Sequence, residues 1–310
     1  MDKFLSVLSK EEVISLSLRA LYSNFGYKKY RMSKFEEYDL YVRNKDFLIS
    51  ERVITFNDTD GRLLALKPDV TLSIVKNVKS SDTLQKVYYD ENVYRVVKGG
   101  EGFKEIMQSG LECIGSVDSD TVCEVLFLAG KSLETISKNN VLVISNLDII
   151  SGVIDYVNLS SATRKEVIKL LGEKNVFAIK ELAENDGVST ENCKLLQKLV
   201  SVCGKPSSVL ENLSVFEVNA QTKEAVNALK VCVNSLLSRG ISEENITIDF
   251  SVVNDMKYYN GIAFKGYVEG IPTGILSGGE YDKLMKMMGK NSKAIGFAVY
   301  LDDISRIYED

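Results

Sequence analysis

The sequence predicts an α+β protein in which one long helical segment interrupts a β-rich body. Strand-like runs with turn signals between them occur in both the N-terminal and the C-terminal parts of the chain, over 87–115 and 246–279. From about 148 to 239, the spacing of apolar residues is instead almost entirely helical. We therefore expect a discontinuous body, 1–147 and 240–310, with a helical insertion domain over 148–239.

The first elements carry local signals. Ser9 and Glu12 have the spacing of a capping box, which predicts that a helix begins there. In the stretch FNDTDGRLL, the D-G pair between apolar flanks indicates a hairpin turn. In LKPDVTLSIVKNV, Pro68 precedes a short predicted helix that either Asp69 or Thr71 can cap.

The later elements follow in the same way. VYYDENVYRVV (87–97) and FKEIMQSGLECIG (103–115), joined by KGGEG, predict an antiparallel hairpin. Further strands are expected over 141–147, 246–253, 258–268 and 271–279. GEYDKLMKMMG predicts a short helix, and AIGFAVYLDDISRIYED predicts a last strand that leads into a C-terminal helix.

Composition excludes several classes of protein. The chain of 310 residues has 38 Lys plus Arg, 43 Asp plus Glu and no histidine, so catalysis by an imidazole base and histidine-based metal sites are excluded. Five cysteines without C-x-x-C spacing predict reduced thiols in a cytoplasmic protein. The N-terminus lacks a signal-peptide pattern and no apolar run could span a membrane. The acidic balance argues against a broad nucleic-acid surface.

The individual motifs leave the function open. GEGFK and SGGEYD lack the spacing of phosphate-binding loops, so each alone indicates a turn. On the predicted strand around Gln108, the alternation of side chains puts Gln108, Gly110 and Glu112 on one face. That face could be a pocket floor or a solvated surface. Tyr258 and Tyr259, followed by Asn-Gly, could likewise be a turn with core aromatics.

The order of several segments is more specific than any one of them. LKPDVT (66–71), VYR (93–95), FKEIMQSGLECIG (103–115), YYNGIAF (258–264), SGGEYDKL (277–284) and AIGFAVYLDDI (294–304) together resemble histidyl-tRNA synthetase. GYKKYRMSKFEEYDLY (26–41) resembles the dimer-interface motif of class II synthetases, with Ser33 where proline is usual. The resemblance implies a class II aminoacyl-tRNA synthetase-like antiparallel sheet flanked by helices, with the helical insertion between motifs 2 and 3.

Departures from the synthetase pattern fall on its phosphate-binding residues. Arg95 of motif 2 is kept, but Asp303, Asn254 and Glu280 stand where the family has arginines, and Val97 stands where motif 2 has an acid. Phosphate chemistry depends on preorganised cations, so this pattern implies that the chain does not activate an amino acid. Because the chain ends shortly after Asp303, we also expect no anticodon-binding domain and no tRNA partner.

The amino-acid side of the synthetase pocket is better preserved. Asp69 and Thr71 match positions that hold the ligand's ammonium group, and Gln108 and Glu112 match strand residues that face the amino acid. Two tyrosines match aromatics near the imidazole of histidine. The resemblance thus implies a pocket for histidine or a similar ligand, with no catalytic residue, metal or cofactor. The candidate residues are Asp69, Thr71, Arg95, Gln108, Glu112, Tyr258, Tyr259 and Tyr281.

A synthetase-like chain with these departures resembles the regulatory subunits of ATP phosphoribosyltransferase. The resemblance implies a cytoplasmic, non-catalytic protein that forms dimers and hetero-oligomers with a short-form catalytic subunit. It would activate that subunit at the first step of histidine biosynthesis and mediate allosteric feedback inhibition by histidine. Two alternatives stay open: a truncated synthetase-like enzyme that activates an amino acid, and a free-standing histidine-binding module.

Overall fold

The structure is a computed structural model that describes residues 7–45, 48, 52–78, 83–96, 102–253, 256 and 258–304. Val97, Asn254 and most of the predicted C-terminal helix lie outside the described residues. The chain divides into two compact units. Unit 1 comprises Met1–Val117, Gly270–Leu276 and Asp282–Asp310, and unit 2 comprises Asp118–Glu269 and Ser277–Tyr281.

Helices and strands both occur along the whole of the described chain. In chain order they are α1 (Lys10–Asn24), β1 (Lys28–Lys29), β2 (Phe35–Glu37), α2 (Tyr38–Arg43), β3 (Thr55–Asn57), β4 (Leu63–Leu66), α3 (Val70–Asn77), β5 (Gln85–Val96), β6 (Phe103–Gly115), α4 (Ser119–Ile136), β7 (Asn140–Asn146), α5 (Leu147–Val157), α6 (Ser161–Gly172), α7 (Val176–Asn185), α8 (Thr190–Val200), β8 (Cys203–Gly204), α9 (Pro206–Val209), α10 (Ala220–Ser238), β9 (Ile246–Asp249), β10 (Asn260–Val268), β11 (Leu276–Glu280), α11 (Asp282–Met287) and β12 (Lys293–Tyr300). Short 3₁₀ helices cover Leu210–Phe216 and Glu243–Asn245.

Unit 1 contains neighbouring strands in the order β1–β5–β6–β12 and a small sheet in the order β2–β4–β3. β5 and β6 pair antiparallel from Gln85 opposite Ile114 to Val96 opposite Phe103, which confirms the predicted hairpin. The D-G hairpin is confirmed as the antiparallel pair β3–β4. Both hairpins were predictable because their turns and their strands are close together in the sequence.

The first helix begins as its sequence predicts. Ser9 and Glu12 form the capping box, with Ser9 accepting from the Glu12 N–H and Glu12 accepting from the Ser9 N–H. Leu18 and Tyr22 lie one turn apart on the inner face of α1 and are fully buried. The ring of Tyr22 packs edge-on against Phe297 of β12, with centroids 5.9 Å apart. These contacts hold α1 against the strands that carry the candidate site.

Unit 2 contains strands in the order β11–β10–β7–β9–β8. β10 pairs antiparallel with β7, and β7 pairs parallel with β9. Between β7 and β9 the chain is helical, from α5 to α10, apart from the two-residue strand β8 and the 3₁₀ turns. The helical pattern predicted there is present. The insertion-domain boundaries at 148 and 239 remain a prediction, because unit 2 as a compact body begins earlier, at Asp118.

Some strands are shorter than the sequence suggested. The predicted strand over 271–279 is observed only as Leu276–Glu280, since Pro272 has no N–H to give to a ladder. The predicted strand over 246–253 ends at Asp249. All five cysteines are free thiols, and Cys203 alone among them is exposed. In the described part of the chain, we find no helix with the length and apolarity needed to cross a bilayer.

Candidate ligand-binding site

The strand register of unit 1 places Arg95, Gln108 and Glu112 on one face. Gln108 and Glu112 are two pleats apart on β6, so their side chains point the same way. Gln108 stands opposite Glu91 of β5, and Arg95 follows Glu91 by four residues on the same strand. Directly opposed residues of an antiparallel pair share a face, so Arg95 belongs to the face of Gln108. All three side chains are buried in the structure.

Glu112 is the best-enclosed acid of this face, with 2% of its surface exposed. The hydroxyl of Thr71 donates a hydrogen bond to Glu112 Oε1 at 2.7 Å. On its other side the carboxylate lies over Gly296 of β12, its partner in the strand register. A Cβ at position 296 would overlap Glu112 Oε2, so this packing requires glycine. A cationic group beside this enclosed carboxyl group would favour its ionised form.

Asp69 approaches the same region from the start of α3. Its Oδ1 accepts a hydrogen bond from the Leu72 N–H at 2.9 Å, which makes Asp69 the N-cap of the helix. Burial raises the pKa of the Asp69 carboxyl above its usual range, and the Leu72 bond and the charge of Arg95 act in the opposite direction. A ligand cation beside Asp69 would therefore favour the ionised carboxylate.

Arg95 supplies a buried positive charge near these acids. Only 5% of its surface is exposed, and among the described residues its Nε has no hydrogen-bond partner. Its guanidinium carbon lies 6.0 Å from the ring centroid of Tyr300, within range of a cation–π contact. A guanidinium with an unused N–H can bind a carboxylate or a phosphate group.

Sequence reasoning missed one buried ion pair in this region. Lys67 is completely buried, and its Nζ pairs with Glu91 Oε2 and donates to the Ser33 carbonyl at 3.3 Å. This lysine directly precedes Pro68 and the Asp69 cap. The position of Lys67 beside the Pro68 turn could have indicated an ion pair, because a lysine that is buried next to such a turn needs an acidic partner. The partner, Glu91, is 24 residues away in the sequence, so it could not be found without the three-dimensional structure.

The three candidate tyrosines form a cluster in unit 2. Tyr258 contacts Tyr259 edge-on with centroids 4.8 Å apart, and it lies 6.0 Å from Tyr281. Tyr281 is buried, whereas Tyr258 and Tyr259 are partly exposed. The ring of Tyr259 rests on the main chain at Gly279, where a Cβ would lie 2.9 Å from Tyr259 Cδ1. Partly exposed aromatic faces of this kind suit a flat ring or a cation.

Comparison with known proteins identifies the family. A family model described as histidyl-tRNA synthetase matches residues 6–304. A protein of Clostridium kluyveri named ATP phosphoribosyltransferase regulatory subunit is 31% identical over 300 residues, which is 94% of this chain and 76% of that protein. The chain belongs to this family of regulatory subunits. The resemblance drawn from the ordered motifs is thereby confirmed.

Solved structures match the fold of this chain. An ATP phosphoribosyltransferase regulatory subunit/histidyl-tRNA synthetase from Bacillus halodurans C matches with a TM-score of 0.83 at 23% identity, covering 96% of this chain and 78% of that one. An ATP phosphoribosyl transferase (HisG:HisZ) complex from Thermotoga maritima matches with a TM-score of 0.73 at 18% identity, covering 95% and 98%. The predicted class II synthetase-like fold is confirmed.

In this regulatory-subunit chain, the candidate residues fall into two groups. Five belong to unit 1 and three to unit 2. Within unit 1, Thr71 contacts Glu112 directly, and the charge of Arg95 acts on Asp69. Gln108 shares their face at its register position opposite Glu91. Among the described residues, no group of three or more Cys, Asp or Glu side chains is arranged to hold a metal ion.

Proposed function

We propose that this chain is the regulatory subunit of an ATP phosphoribosyltransferase and acts beside a separate short-form catalytic subunit at the first step of histidine biosynthesis. Its membership of the regulatory-subunit family is the observation that carries the proposal. The chain would supply no reacting group. It would form hetero-oligomers with the catalytic subunit, raise the activity of that subunit and transmit inhibition by histidine.

The buried charges of unit 1 support histidine as the effector. Free histidine carries an ammonium, a carboxylate and an imidazole that can be protonated. Asp69 and Glu112 are buried acids suited to cationic groups, and Arg95 is a buried cation suited to the carboxylate. The polar Gln108 and Thr71 can add hydrogen bonds. Following the resemblance, we assign Tyr259 and Tyr281 to the imidazole and Tyr258 to the same tyrosine cluster.

Feedback inhibition then requires two states of the hetero-oligomer with different affinities for histidine. The coupling is reciprocal, so substrates that favour the active state must weaken histidine binding by the same factor. A hundredfold difference in histidine affinity between the states corresponds to about 2.7 kcal/mol of coupling. A few charge-assisted hydrogen bonds that form in only one of the two states, at roughly 1.5–3 kcal/mol each, are sufficient for this coupling free energy.

Co-expression with a short-form catalytic subunit tests the proposal. We expect the two chains to co-elute in size-exclusion chromatography, phosphoribosyl transfer to be faster in the complex than with the catalytic chain alone, and histidine to inhibit the complex. Separate elution together with an unchanged rate would contradict the regulatory role. Histidine-dependent exchange of pyrophosphate into ATP by this chain alone would instead support the synthetase-like alternative.

The proposal includes four further points that follow from the family resemblance. The chain forms dimers through the segment 26–41, and its helical segment 148–239 is an insertion domain. It does not bind tRNA, which a gel-shift titration with histidine tRNA would check. It works in the cytoplasm, where five free thiols stay reduced.

A further inference from the structure

The first residues of β10 have an irregular main chain that a side chain stabilises. Gly261 has φ +52°, in the left-handed region that favours glycine. At the next residue, the N–H of Ile262 donates a hydrogen bond to Glu280 Oε2 at 2.7 Å. Glu280 is the last residue of β11, so its carboxylate joins the end of one strand to the start of another.

Gly261 and Glu280 are also matched in shape. A Cβ at position 261 would overlap the Glu280 carboxylate, so the acid fills the space that the glycine leaves open. Gly261 is buried and Glu280 is partly buried. A charge-assisted hydrogen bond in such surroundings is stronger than one between neutral groups. The hydrogen bond to Glu280 therefore stabilises the observed conformation of the turn before Ile262.

This turn carries the tyrosines. Tyr258 and Tyr259 immediately precede Asn260, where β10 begins. On β11, Gly279 supports the ring of Tyr259, and the alternation of side chains puts Gly279 and Tyr281 on one face and Glu280 on the other. Glu280 can thus hold the turn from one face of β11, while the tyrosine rings lie on the other face.

We propose that Glu280 is a positioning residue that sets the Tyr258–Tyr259 turn for ligand binding. This inference rests on the proposed function, because it takes histidine as the ligand of the tyrosine cluster. Glu280 acts through the main chain of Ile262. The acid that replaces the family's arginine at this position therefore has a structural partner in the chain itself, and it does not need to contact the ligand.

Two substitutions separate the hydrogen bond from the charge. Glu280→Gln keeps an oxygen that can accept from Ile262, whereas Glu280→Ala removes the acceptor. By calorimetry on the complex with the catalytic subunit, we expect E280A to bind histidine about tenfold more weakly and E280Q to stay within about threefold of wild type. Amide hydrogen exchange at Ile262 should be about tenfold faster in E280A and little changed in E280Q. Glu224→Ala, at an exposed acid of unit 2, is the charge-matched control.

Three results would overturn the inference. The first is E280A with wild-type histidine affinity and a protected Ile262 amide. The second is E280Q as weak as E280A, since the charge and not the hydrogen bond would then matter. The third is faster exchange across all of unit 2 in E280A, which would indicate general destabilisation. If wild type itself does not bind histidine, the proposed function fails, while the exchange rate of Ile262 still decides whether Glu280 holds the turn.

Discussion

Asp69→Asn separates the structural role of Asp69 from its proposed role in ligand binding. The Asp69 side chain caps α3 by accepting from the Leu72 N–H at 2.9 Å. Asparagine offers an amide oxygen at the same position and is about as good an N-cap as aspartate. We therefore expect D69N to retain the cap. Asp69→Ala removes it and should lower the free energy of unfolding by about 1 kcal/mol, within a range of roughly 0.5–2.

Because Asp69 can lose a proton and asparagine cannot, the difference in the free energy of unfolding between wild type and D69N depends on pH. Burial raises the pKa of Asp69 in the folded chain above its value in the unfolded chain. Between these two values the folded state binds more protons, so the free energy of unfolding falls as pH rises. D69N has no such titration. Its stability relative to wild type should therefore increase as pH rises from the usual range of an aspartate through the raised pKa, and then level off.

Although D69N should gain stability relative to wild type as pH rises, it should bind histidine more weakly than wild type. In the proposed site, D69N would replace a charge-assisted contact to the ammonium by a neutral one, which we expect to cost roughly 1.5–3 kcal/mol, a loss of affinity between about tenfold and hundredfold. Isothermal titration calorimetry measures the affinity, and urea unfolding measures the stability. D69N with histidine affinity within about threefold of wild type would refute the assignment of Asp69. D69N as unstable as D69A would refute the capping argument.

Three further predictions concern packing and thiol access. Lys67→Met leaves Glu91 without its buried partner and should lower the free energy of unfolding by roughly 2–4 kcal/mol in urea, while the double variant K67M/E91L should recover most of that loss. Gly296→Ala places a Cβ against Glu112 and should destabilise by about 1–3 kcal/mol and weaken histidine binding in calorimetry. A thiol reagent should label Cys203 rapidly in the folded chain and the other four cysteines only after unfolding, because those four are buried.

Much of the fold was predictable because its signals are local. The Ser9–Glu12 capping box, the D-G turn and the KGGEG connection each act within a few residues. The six motifs, taken in their order along the chain, predicted the class II synthetase-like fold, because that order is typical of one chain topology. The ends of strands were less predictable. Residues 271–275 were predicted to belong to the strand over 271–279 but do not belong to β11. Where a strand begins depends on Pro272, which lacks an N–H, and on whether an adjacent strand offers hydrogen-bond partners.

The candidate site was predictable only in its residue types. The motif LKPDVT offered Asp69 or Thr71 as the cap, and the structure shows that Asp69 is the cap. The Lys67–Glu91 pair instead joins two residues that are 24 positions apart in the sequence. The requirement for glycine at 296 depends on β6 and β12 being in register, and these strands are far apart in the chain. From the sequence, Glu280 is only a reversal of charge relative to the family's arginine; its hydrogen bond with the Ile262 N–H is a feature of the folded chain. In each case the missing information was a contact between residues that are distant in the sequence.

The charges on the unit 1 face argue for a zwitterionic ligand. Asp69 and Glu112 are buried acids, and Arg95 is a buried cation whose Nε has no hydrogen-bond partner in the described chain. A simple cation would be attracted to the acids but not to the guanidinium, and a simple anion would be attracted to the guanidinium but not to the acids. A polyphosphate would also place negative charge near two carboxylates, which is unfavourable in surroundings of low dielectric constant. An amino acid carries both charges a short distance apart, so it can compensate both kinds of group at once. The charges therefore favour the amino acid of the proposed function over a nucleotide as the ligand of this face.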